Sequence, residues 1–171
     1  LLRAGERAVS SNANTEAIAL LERALELLDE VELTDRPARE AQIRLWLGTA
    51  QRGLSNYAAA ISYTEEALRL FSEAQEKRGV VNALNDLGWM MGVILLHREE
   101  GTMYFQQALA MAREINDQRG IAWSLNGLGA LAQWQGHPDE AIRYYEDSLE
   151  IARSVGDLVR VSGALNNIGM I

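Results

Sequence analysis

Residues 124–152 read "SLNGLGALAQWQGHPDEAIRYYEDSLEIA", Ser124 to Ala152. Gly127-Leu128-Gly129 followed by Ala132 satisfies a loose G-x-G-x-x-A pattern, the fingerprint of a loop that cradles a dinucleotide. That pattern has meaning only after a strand. Here Ile121, Leu125, Leu128 and Ala132 recur at steps of three and four, so the residues before Gly127 already belong to a helix. Gly136-His137-Pro138 breaks the period, with Pro138 where a first helical turn tolerates proline. A second helical run follows through Ala141, Ile142, Tyr145, Leu149 and Ala152. Gly156 suits a left-handed helix terminus and Asp157 a cap for the next helix; Asn116-Asp117 fills the same slots in the preceding unit. The stretch is therefore a helical hairpin. Its glycines sit mid-helix, where each costs up to ~1 kcal/mol relative to alanine. The expected compensation is close packing, with Gly129 facing Ala141 and the two axes ~8–10 Å apart.

The hairpin repeats. Leu47-Gly48, Leu87-Gly88, Leu128-Gly129 and Ile168-Gly169 follow one another at intervals of 40, 41 and 40 residues. Ala60 and Ala141 each lie twelve residues after their glycine, and Gly5 and Ala17 keep that spacing at the front. The third unit carries one extra residue, with thirteen steps from Gly88 to Gly101. No segment alternates at period two, so no strand is expected. The expected units are 1–33, 34–75, 76–116, 117–156 and a partial 157–171, forming one array over 1–171. A chain that opens on Leu1 and stops at "NNIGMI" is expected to be a piece of a longer protein.

This grid of small residues resembles the tetratricopeptide repeat: Leu-Gly on a first helix, then Ala, an aromatic and Ala on a second. The fourth unit carries it as Leu128, Gly129, Ala141, Tyr145 and Ser148, the third as Leu87, Gly88, Gly101, Phe105 and Ala108. The second has Leu47, Gly48, Ala60, Thr64 and Ala67. The period departs from the usual ~34 residues, and HEAT or armadillo repeats, at ~40–47, are the rival. The resemblance implies an all-α fold, a right-handed superhelical solenoid of antiparallel helix pairs, with first helices lining its concave side. It also implies a non-enzymatic scaffold for a protein or peptide partner. The alternative is a regulatory sensor arm of a larger bacterial signalling or transcriptional regulator, holding a small ligand or restraining a neighbouring domain. Either role is expected in the cytoplasm.

Position along the first helices selects the candidate contacts: Arg52, Asn82, Asn85, Trp89, Trp123, Asn126, Gln133, Trp134 and Asn166. An asparagine amide offers one donor and one acceptor face, matching a peptide backbone. Tryptophan supplies the anchors that dominate interface energy. The competing reading has the asparagines bridging neighbouring first helices and the tryptophans filling seams; Trp46 is assigned to seam or core. Val93, Ile94, Leu95 and Leu96 stand where the other units have polar turn residues. They are either a self-association patch or an extra buried helical turn. The final helix, 158–171, has no second helix to cover Ile168 and Ile171, and is a second candidate for self-association.

Composition narrows the chemistry. A net charge of −8 offers no basic stripe for nucleic acid. With no cysteine, thiol catalysis and thiolate metal sites are excluded. The longest apolar run, Leu87 to Leu96, is far short of the ~18 residues a membrane span needs. His97 and His137 fall at turns, and no phosphate loop, calcium loop or nucleophile elbow occurs. No cofactor, metal or catalytic residue is expected.

Overall fold

The repeat dictates where helices start and stop, and the turns carry that out. The computed structural model describes residues 1–30 and 34–171; the expected boundary after residue 33 lies outside the described residues. The helices are α1 (Leu2–Ser10), α2 (Asn14–Asp29), α3 (Arg36–Gly53), α4 (Tyr57–Glu73), α5 (Lys77–Gly88), α6 (Arg98–Glu114), α7 (Gln118–Trp134), α8 (Pro138–Ser154) and α9 (Leu158–Ile168). A π-helical segment, Trp89–Ile94, continues α5. No strand is found among the described residues.

Most turns are built alike. One residue takes positive φ (Asn12, Ser55, Gln75, Asn116, Gly136, Gly156), and the next N–H reaches back to a carbonyl five residues earlier. This left-handed closure satisfies the last helical carbonyls. Gly156 has φ +67°, and the Asp157 carboxylate accepts the Arg160 N–H at 3.1 Å, as the sequence suggested. Pro138 opens α8 with His137 as its N-cap residue.

The third turn is the exception, and it locates the inserted residue. Leu96 takes φ +63°, and the His97 N–H reaches the Met91 carbonyl, six residues back. The extra residue is absorbed between Gly88 and Leu96, where Trp89–Ile94 widens to the π form. Val93, Ile94 and Leu95 end half-buried and Leu96 exposed. They form neither an added α turn nor a fully exposed strip.

The described residues form two compact units, Leu1–Ala83 and Leu84–Ile171. In the first, Ala8, Val9, Ala17, Leu21, Ala24, Ile43, Leu47 and Ala50 make a core against which Trp46 and Tyr63 pack, as expected for Trp46. Gly48 meets α4 there: a Cβ on it would lie 2.5 Å from the Thr64 hydroxyl oxygen. In the second unit each helix packs on its sequence neighbours, and α7 also meets the π segment and α9. A Cβ on Gly88 would lie 2.9 Å from the Phe105 ring, and one on Gly129 would lie 2.7 Å from Tyr145. The expected Gly129–Ala141 pairing is thus corrected. The atoms nearest that missing Cβ belong to Tyr145 and Tyr144, because an aromatic reaches from the next turn into the space glycine vacates. In the third hairpin Gly92 and Gly101 meet backbone to backbone.

Ile168, expected to lie uncovered, instead packs against Ala132, Ala141 and Tyr145. Ile171 stays 45% exposed beyond the end of α9.

Candidate binding surface

The candidate residues of one unit do not form one surface. In the unit Leu84–Ile171 they divide between a buried polar seam and an exposed aromatic edge. Asn85 on α5 is fully buried, and its amide oxygen accepts the Ser124 hydroxyl of α7 at 2.8 Å. Its Nδ2 has no hydrogen-bond partner among the described residues. Asn126 on α7 is 8% exposed, and its oxygen accepts the Asn167 amide of α9 at 3.1 Å. Peptide contact by Asn85 and Asn126 is therefore corrected: their polar atoms join one first helix to the next. A buried amide is stabilised by such a bond and costly without it.

Asn166, chosen by counting back from its glycine, is exposed; the bridging residue is Asn167. Ser124 and Asn167 were missed because packed helices cross at an angle, so equivalent positions need not touch. The spacing of Asn85, Asn126 and Asn167, 41 residues at each step, is the signal that would have found Asn167.

Three further buried hydroxyls are satisfied within their hairpins. The Ser148 hydroxyl donates to the Ala122 carbonyl at 2.7 Å, and Thr64 donates to the Ala60 carbonyl at 2.8 Å. The Tyr145 hydroxyl donates to Gln133 Oε1 at 2.9 Å, so the Gln133 carbonyl is already engaged. Burial pushes the Tyr145 phenol up to about 12, which keeps it a neutral donor.

The tryptophans behave differently. Trp89 and Trp123 are half-buried, while Trp134 at the end of α7 is 63% exposed. The Arg160 guanidinium of α9 lies 4.3 Å from the Trp123 ring centroid, and that of Arg98 from α6 lies 5.6 Å from Trp134. Stacked cation–ring pairs of this kind hold both side chains in place. Asn82, half-buried on α5, and Arg52, half-buried on α3, belong to the other unit. A depression of about 540 Å³ lies beside Arg98, lined by Leu96, His97, Arg98, Glu99, Glu100 and Met103. Among the described residues no three acidic or histidine side chains converge as a metal site, and no helix is long and apolar enough to cross a membrane.

Paired antiparallel helices, glycines opposed to aromatics and polar bridges from one first helix to the next define a helical-repeat fold. Residues 90–154, from the π segment through α8, match the family model of the tetratricopeptide repeat. Among solved structures the chain is similar to BtubC (BKLC) from P. vanneervenii, with a TM-score of 0.75 and 21% identity. That match covers 97% of this chain and 68% of the other, and at that identity it is a likeness of fold. No curated protein matches the chain in sequence.

Proposed function

We propose that the chain is a non-enzymatic scaffold that holds a protein or peptide partner along its first helices. Tetratricopeptide repeats generally mediate protein–protein interaction, and the match over residues 90–154 supports that role. The observation that carries it here is α7, whose Trp134 is 63% exposed while Trp123 stays half-buried on the same helix. Partly exposed aromatics on a rigid helix are the commonest anchors of protein interfaces. Trp89 extends the candidate surface, whereas Asn85 and Asn126 shape it from beneath.

Site-specific photocrosslinking tests the reading. A benzophenone amino acid replaces Trp89 or Trp123 in one set, and Glu146, exposed on α8, in the other. Protein adducts in cell extract are expected from the first set and not from the second. Adducts no more frequent at Trp89 and Trp123 than at Glu146 would refute it.

A further inference from the structure

We propose that the turn edge of the third hairpin docks a partner segment that presents an aspartate or glutamate side chain beside a large apolar one. This deepens the scaffold reading and rests on it. The edge differs from its neighbours at three positions. Leu96 takes φ +63° where the fourth hairpin has Gly136 and the second has Ser55. Arg98 stands at the place of Pro138 and Tyr57, and Met103 at that of Arg143 and Ser62. A leucine in the left-handed region is disfavoured because its Cβ crowds the following carbonyl oxygen, and here it is also 53% exposed. Strain together with exposed apolar surface points to a contact rather than to packing.

The neighbouring groups fit one occupant. Leu96 and Met103, the latter 57% exposed, line the depression of about 540 Å³, and the Trp134 ring, 63% exposed, lies against Arg98. Arg98 also lines the depression, with its guanidinium 5.6 Å from the Trp134 ring centroid. No carboxylate on its own helix answers it: Glu99 and Glu100 follow at one and two residues, which do not face it on a helix, and Glu100 lies 3.7 Å from His97. Three and four residues on are Gly101 and Thr102, so no acid stands at the helical spacings that would pair with it. A carboxylate is the complement of a guanidinium, and arginine and tryptophan are both enriched at interface hot spots. Glu99, Glu100 and a net charge of −8 oppose a polyanion, so the partner presents a single acid within an apolar segment.

The test begins with random twelve-residue peptides displayed on phage and selected on the whole chain. Synthetic copies of the enriched peptides are then titrated by fluorescence anisotropy. Enriched peptides are expected to set Asp or Glu within a few residues of Leu, Ile, Phe or Trp. Arg98→Gln and Arg98→Lys should each weaken binding by about tenfold or more, the scale of a lost charge-assisted pair. Lysine fails as well because it lacks the planar fork. Exchanging the peptide acid for its amide should have the same effect, and add little in the Arg98→Gln background. Circular dichroism and melting show that both variants fold. Enriched peptides without acids, or binding indifferent to both substitutions but lost with Trp89→Ala or Trp123→Ala, would overturn the inference and leave the scaffold standing. Failure to enrich any peptide would count against both. A dimer dissociated by Leu96→Ser would make a second copy the occupant and overturn the proposal.

Discussion

The third and fourth hairpins are the same object built with and without one extra residue. From Gly129 the chain takes seven steps to the left-handed Gly136 and five more to Ala141; from Gly88 it takes eight to Leu96 and five to Gly101. The insertion therefore falls before Leu96, in the first helix, and leaves the five-residue step from the turn to the second helix's small residue unchanged. A π segment absorbs it locally, and two consequences follow. Gly92 is brought against the position where the fourth hairpin tolerates an alanine, so that position has become Gly101. Leu96 arrives at the turn with its side chain exposed. A single residue thus turns a regular hairpin into one with a tight inner contact and an altered edge.

The largest effect is expected where that comparison is sharpest. Gly101→Val sets a branched side chain against the Gly92 backbone, which cannot move aside as a side chain can, and should destabilise by about 3 kcal/mol in chemical denaturation. Valine at Ala141 also overpacks, but into side chains able to adjust, and should cost less.

Next comes the seam. Ser124→Ala removes the hydroxyl that Asn85 accepts in a fully buried position and should cost about 2 kcal/mol. Leucine at Asn85 together with alanine at Ser124 should recover part of that loss, since an apolar pair leaves nothing unpaired.

Leu96→Gly works in the other direction. It restores the residue of the fourth hairpin and should stabilise by about 1 kcal/mol in the same assay. A loss would mean that the Leu96 side chain packs more than its exposure implies.

The smallest effect concerns Tyr145. The fold favours the neutral phenol, whose pKa stands at about 12 against an ordinary 10. Its contribution is complete below pH 10 and drains away as pH climbs toward 12. Urea melts at pH 9 and 11 should show a larger alkaline loss for the native chain than for Tyr145→Phe.

The repeat, its breakpoints and the inserted residue were legible because glycine, proline and small residues punctuate helices by backbone chemistry, which a sequence displays directly. The π segment was not legible, because "WMMGVI" has the same apolar character whether wound as α or π. The asparagines were half legible. Their periodicity exposed a role, but inward bridging and outward display share that periodicity, and only the angle between helices separates them. The Arg98–Trp134 stack was invisible, since its members lie 36 residues apart with no pattern linking them.

Two identical substitutions compare opposed and open glycines most directly. A Cβ on Gly129 would meet Tyr145 at 2.7 Å, whereas one on Gly163, inside α9, has nothing within 4 Å. Thermal melting of Gly129→Ala and Gly163→Ala should therefore move in opposite directions, falling for the first and rising for the second by up to ~1 kcal/mol of helix propensity. A shift of the same sign in both would show that these glycines are not kept for close packing.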